Sequence, residues 1–343
     1  MDAKGFDIGD DFYGVNTYQI LELAKKLAHL DSDARLVETE ELSEFEQAAI
    51  FLLVSRSCWS TNMASDEFLC SRRSVSHAFT NVREALLAMY DDYVKPPPSP
   101  VMTADMLPEV RDDPRFEYFG GALKQLVGAV AILPIGASKD VTIAIGDKTT
   151  KAPSNVLVGT PLYTGPQHAV LMFSVHGAIT AVYAPGYANA GPSPFSTYPS
   201  TQRDILALAC LAGERVLPPL PPDTRLLAPA AAAGDTPFSP TLPLMGPFAD
   251  AAYPTTHDEQ DAITVADGAH ALFNLRHAQL YEILAERPLR QLCERFALLL
   301  KPGAKVSAAT LKAFCVLHGV LDELGEKGIE EWLDEGSSEE GGR

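Results

Sequence analysis

Ser43-Glu44-Phe45-Glu46-Gln47-Ala48-Ala49-Ile50-Phe51-Leu52-Leu53-Val54 is the stretch on which the fold turns. Ser43 and Glu46 stand at capping-box spacing, so each can satisfy an amide that the first helical turn leaves open. The body behind them, Ala48 to Val54, is apolar nearly all round. A helix of that kind belongs inside a core, with other helices packed about it. The stretch therefore predicts a helical protein with a real interior.

Working outward, Asn16 and Gln19 repeat the capping pattern. Ile20, Leu23, Ala24, Leu27 and Leu30 then lay one apolar stripe on a helix over about 17–30. A third helical stretch runs from about Ser65 to Tyr93, with a break expected near Asn81, where Asn81 and Glu84 offer another cap. Lys95-Pro96-Pro97-Pro98-Ser99-Pro100 ends it, because proline lacks the amide donor and restricts the residue before it. On the C-terminal side, helices are expected over about 269–286, 288–300 and 307–324. Pro288 suits a first helical position and Gly325 the residue past a C-cap.

The middle reads differently. Residues 115–135 look helical at first, then apolar and glycine-punctuated. Short β-branched runs at 141–145, 156–158, 169–175 and 178–183 read as strands, with His176-Gly177 as a tight turn between the last two. A helix follows at about 201–213. From 216 to 256 the chain is rich in Pro and Ala, yet Leu220, Leu226, Leu227, Phe238, Leu244, Phe248 and Tyr253 recur in it. Disordered linkers seldom carry such apolar bulk. The segment is expected to be an ordered arm laid on a neighbouring subunit, with those seven side chains as anchors.

The expected fold class is mainly α with a small β element, two helical lobes joined by a strand- and proline-rich middle. The expected divisions are an N-terminal lobe (1–94), a proline-rich linker (95–114), a mixed region (115–215), the arm (216–256), a C-terminal lobe (257–334) and a disordered acidic tail (335–343). Charge follows them. Residues 1–94 hold 8 basic and 17 acidic side chains, 95–254 hold 10 and 12, and 255–343 hold 9 and 16. The net charge of −18 argues against a simple duplex-DNA binder, which needs a positive face to displace counterions.

The five cysteines are odd in number and show no paired spacing, which suits free thiols in a reducing compartment. The N-terminal residues lack a signal-peptide pattern, and no apolar run approaches the roughly 20 residues that span a bilayer. A cytoplasmic protein without membrane partners is expected, or a virion component if the source is viral.

Chemistry-bearing motifs are scarce. Gly146-Asp147-Lys148-Thr149 lacks the upstream glycine of a phosphate-cradling loop, and Gly-x-Gly-x-x-Gly, Gly-x-Ser-x-Gly and His-Glu-x-x-His do not occur. His270 and His277 share a helix face but lie two turns apart, about 10 Å, too far for one metal. His168 and His176 bracket a strand, and His257 stands in a proline-rich stretch. No catalytic residue, cofactor site, metal site or small-molecule substrate is assigned. Arginines form two strips, Arg56, Arg72, Arg73 and Arg83 in the N-terminal part and Arg276, Arg290 and Arg295 in the C-terminal part. They are candidate contacts to single-stranded RNA, although neighbouring carboxylates are plentiful enough to neutralise them.

Four functions compete. The favoured expectation is a self-assembling structural protein, a coat- or capsid-type subunit that forms homo-oligomers through extended arms. A nucleoprotein that sheathes single-stranded viral RNA between lobes is the second. An enzyme without a short motif and an intracellular scaffold or adaptor complete the set.

Overall fold

The structure is a computed structural model. It describes residues 17–95, 107–135, 167–183, 220, 223–230, 243–251, 268–301 and 306–338. In chain order the elements are α1 (Thr17–Ala28), α2 (Glu44–Ser57), α3 (Thr61–Glu67), α4 (Arg72–Ala88), α5 (Tyr90–Tyr93) and α6 (Pro108–Arg111). A 3-10 stretch (Pro114–Gln125) leads into β1 (Leu126–Ile135), β2 (Gln167–Ser174), β3 (Ile179–Tyr183), β4 (Arg225–Leu227) and β5 (Leu244–Met245). Then come α7 (Ala269–Tyr281), a π turn (Glu282–Glu286), α8 (Arg287–Arg295), a 3-10 turn (Ala297–Leu299) and α9 (Ala308–Ser338). The protein is mainly α with a small β element.

Two compact units divide the chain. The first is built from residues 1–94, 292–301 and 306–343, the second from 95–291 and 302–305. This grouping differs from the sequence divisions. The helices of the N-terminal stretch share a unit with α9, whereas α7 goes with the strands.

In the first unit α2 is central. Glu46 N–H donates to Ser43 Oγ, and the Glu46 carboxylate accepts from Ser43 N–H at 2.8 Å, the capping box expected. Ala48 through Leu53 are buried. Phe51 meets Phe79 at 4.7 Å and Phe314 at 5.9 Å between ring centroids, and Phe296 stacks on Phe314 at 4.8 Å. The buried polar groups of this core are satisfied. Gln47 donates to the Val37 carbonyl and accepts from Asn81, and Ser55 donates to the Phe51 carbonyl. Glu323 of α9 accepts from Lys26 at 2.8 Å and from the Tyr93 hydroxyl at 2.6 Å, which ties α9 to α1 and α5.

Two boundaries differ from expectation. The break in the third helical stretch falls at 68–71, not near Asn81. Leu69 adopts a left-handed conformation there (φ 50°), and Ser71 Oγ accepts the Ser74 amide to start α4. Asn81 sits inside α4, held by Gln47. α9 also continues to Ser338, past Gly325 and into the expected tail. One helical glycine costs only about 1 kcal/mol against alanine and does not by itself end a helix.

The second unit carries a five-stranded sheet in the order β3-β2-β1-β4-β5. β2 pairs with β1 and with β3 antiparallel, and β4 with β1 and β5 parallel. The Ser174–Ala178 turn joins β2 to β3 as expected. β1 was not read as a strand from sequence. It is buried almost throughout, so the run Leu-Val-Gly-Ala-Val-Ala-Ile-Leu shows no alternation. Gly128 is required in it, since a Cβ there would overlap the carbonyl oxygen of Phe173 on β2.

α7, the π turn and α8 run on without the break expected before Pro288. Pro288 supplies no amide to the Leu284 carbonyl and crowds it, and Leu284 lies within the π turn, where the widened backbone makes room. The strands expected at 141–145 and 156–158 and the helix at 201–213 lie outside the described residues.

Candidate functional site

One face of α7 carries a polar series at positions 270, 274, 277 and 281. The spacing follows the helical repeat, so all four side chains look the same way. The His270 ring stacks on Phe248 at 3.7 Å, and its Nδ1 lies 2.9 Å from the Asp250 carboxylate. Asn274 is fully buried. Its Oδ1 accepts the Phe248 N–H at 2.8 Å, and its Nδ2 donates to the carbonyls of Phe248 at 3.0 Å and Ala251 at 3.1 Å. His277 lies 3.2 Å from the Met245 carbonyl through Nε2, and burial lowers its pKa to about 4. The neutral ring thus donates from Nε2. Tyr281 donates its hydroxyl to the Val130 carbonyl of β1 at 3.0 Å. Asn274, His277 and Tyr281 thus hold backbone, that of residues 245–251 and of β1, and His270 adds contacts to the side chains of Phe248 and Asp250.

Beyond Tyr281 the π turn places Glu282 and Glu286 together. Arg290 Nη2 donates to Glu282 at 2.9 Å. Burial above all, then the hydrogen bond and charge of Glu282, holds the Glu286 carboxyl well above the usual carboxylate range. Among the described residues no three His, Cys, Asp or Glu side chains gather as a metal-binding set.

The expected arm anchors take definite places. Leu226 and Leu227 are buried in β4 and Leu244 in β5, so their apolar surface is met inside the chain's own sheet. Phe248 packs on His270 and Phe273, and Leu220 is half-buried. Phe238 and Tyr253 lie outside the described residues. So do His168's side chain and all of His257.

The arginines divide as well. Arg83 pairs with Glu84 at 2.7 Å, Arg290 with Glu282, and Arg295 with Asp322 at 2.6 Å, while Arg276 donates to Gln279. Arg72 and Arg73 are exposed on the first turn of α4. In the first unit Arg295 Nη1 also donates to Nδ1 (2.8 Å) and the carbonyl (3.1 Å) of His318. A ring nitrogen that accepts from arginine is unprotonated. Burial, and then the Arg295 charge against the opposing pull of Asp322, keeps His318 neutral with a pKa near 4. Nearby, Lys301 Nζ donates at 3.0 Å to the carbonyl of Cys58, the left-handed residue that closes α2. Cys293 and Cys315 are buried thiols, Cys293 pushed up to about 12 by burial, which makes both poor nucleophiles.

Sequence reasoning found the shared face of His270 and His277 but not Asn274 or Tyr281 between and beyond them. The signal available was the four-three-four spacing of His270, Asn274, His277 and Tyr281 along the helix. Compared with models of protein families, with curated proteins and with solved structures, the chain matches none.

Proposed function

We propose that the chain is a self-assembling structural subunit of coat type. The observation that carries this reading is Leu69. It is 92% exposed and held in a left-handed backbone conformation that a leucine adopts at a cost of about 1–2 kcal/mol. A side chain presented so openly at such a cost suits an anchor for another copy, where burial is worth roughly 1.5–3 kcal/mol per contact and repeats over an assembly. Met63, on the preceding α3, is also half-exposed. Buried His277 and Asn274 support the reading indirectly, because they bind the chain's own backbone.

The anchors in β4 and β5 are satisfied internally, so this proposal moves the interface from the arm to the α3–α4 turn. Copies that each carry −18 repel one another, and salt screens that repulsion. The assembly is therefore expected to grow as salt rises from 50 to 500 mM. Light scattering on the full chain, with absorbance at 260 and 280 nm, tests it. A monomer at tens of micromolar in all salts refutes it. Leu69→Gly is expected to abolish the oligomer while leaving the helical circular dichroism unchanged.

A further inference from the structure

Arg295, the last residue of α8, is fastened to α9 through one nitrogen. Its Nη1 donates to Nδ1 of His318 at 2.8 Å, to the His318 carbonyl at 3.1 Å and to Oδ1 of Asp322 at 2.6 Å. Acceptance at Nδ1 puts the ring proton on Nε2, which lies 3.6 Å from Oδ2 of Asp322. The His318 ring is buried, whereas Arg295 and Asp322 are partly exposed, so water reaches the cluster from their side. The next residue, Phe296, is fully buried and stacks on Phe314 of α9 at 4.8 Å. Arg295 is thus the polar edge of a seam whose apolar part is Phe296 on Phe314.

A second proton on His318 has one place to go, Nδ1. There it sets an N–H against the N–H of a guanidinium and a positive charge against a positive charge, which the 2.8 Å contact does not survive. Asp322 already faces Nε2 and holds the imidazolium, while Arg295 withdraws. Its bond to the His318 carbonyl comes from the same nitrogen and goes with it. We propose that Arg295, His318 and Asp322 form an acid-operated latch: one proton taken up at His318 Nδ1 releases Arg295 and loosens residues 292–301 from α9.

The charges that act on His318 are those of Asp322 and Arg295. α1, α4 and α5 also pack on α9. Lys26 and Tyr93 from them meet Glu323, Tyr90 meets Lys312, Arg83 pairs with Glu84, and His77 is exposed. Burial first, with Asp322 opposing and Arg295 adding, brings His318 to about 4 from an ordinary 6.5. The latch is therefore fully closed above pH 6.5. As pH falls from there towards 4, the opened form takes up the proton before the closed one does, and opening becomes easier through that window. Between pH 7 and 5 this linkage raises the opened population about twentyfold. The latch lies within one copy and does not depend on the assembly reading.

Hydrogen exchange on the full chain at pH 7 and pH 5, corrected for intrinsic rates, tests it. A peptide covering 292–301 is expected to lose about twentyfold in protection in the wild type. His318→Asn offers Oδ1 as an acceptor to Arg295 and takes up no proton in this range, so its loss should stay under about threefold. A β1 peptide from the second unit should respond alike in both proteins. Nuclear magnetic resonance of the wild-type imidazole keeps the test decisive if the variant does not fold. It should show the Nε2–H tautomer at pH 7 and protonation below pH 5. The proposal is overturned if 292–301 loses protection equally in both proteins, if the ring carries its proton on Nδ1 at pH 7, or if His318 is already charged at pH 6.

Discussion

Asn274→Ala isolates what the polar row of α7 does. The side chain is fully buried and serves the Phe248 amide, the Phe248 carbonyl and the Ala251 carbonyl at 2.8, 3.0 and 3.1 Å. Each such bond contributes about 1 kcal/mol net, and a buried group left without its partner costs about 1–3 kcal/mol. Water entering the vacated space recovers part of this. A loss of about 2–4 kcal/mol follows, and it is local, because the three groups all belong to residues 248–251. Hydrogen exchange of a peptide covering 243–251 is the suitable assay, since the second unit can open there without global unfolding. With 1.4 kcal/mol per tenfold, amide protection at Phe248 should fall about 30- to 700-fold. Peptides from α2 and α4 should exchange as before. Protection within threefold of wild type would mean that the strand pairing of β4 and β5, not Asn274, holds the segment, and the reasoning fails. Asn274→Asp keeps the acceptor but turns both donors into charge facing two carbonyls. It should be worse than alanine at pH 8 and improve as pH falls and the carboxyl takes up a proton.

Other perturbations have equally definite outcomes. Gly128→Ala sets a Cβ against the Phe173 carbonyl, which no rotamer change relieves, so a loss of about 3 kcal/mol or more is expected in urea unfolding of the second unit; a midpoint shift under 0.3 M refutes it. Glu286 has a folded pKa of about 8 against an ordinary 4.5, so the native state holds the extra proton between those values. Stability from this group is complete below about pH 4.5 and falls as pH rises through 8, and Glu286→Gln should flatten that fall in thermal melts. His277 is the opposite case, depressed to about 4 from 6.5. Its contribution is present above 6.5 and lost as pH falls through 4, so His277→Gln should reduce acid sensitivity in the second unit. Leu69→Gly should raise the monomer's stability by about 1 kcal/mol, measured by denaturant midpoint, through relief of the left-handed strain.

The legible parts of the chain were those whose signal is local. The capping box of Ser43 and Glu46 and the all-round apolar body behind it described α2 correctly, because both depend on residues within one or two turns. The β2–β3 hairpin was legible for the same reason. β1 was not, since a strand buried on both faces loses the alternation that marks strands. The π turn is a response of backbone to Pro288 and leaves no periodic trace. β4 and β5 are three and two residues long among prolines, so they read as an arm, and only the pairing of β4 with β1 and of β5 with β4 reveals them. The candidate sites are the extreme case. Asn274 acts on Phe248, and Arg295 on His318, across separations that composition and spacing do not encode.

The order in which the first unit's pieces occur along the chain has a consequence for its synthesis. Val94 completes one part, and Leu292 begins the next only after residues 95–291, nearly all of the second unit, have been made. At about 5–20 residues per second a ribosome needs roughly 10–40 s for that interval. Throughout it, Phe51 lacks Phe314, and Lys26 and Tyr93 lack Glu323. The nascent N-terminal helices thus wait with an apolar flank open, a natural client for a holding chaperone. A chain halted before α9 should be recovered in aggregates or degraded, however well its second unit folds.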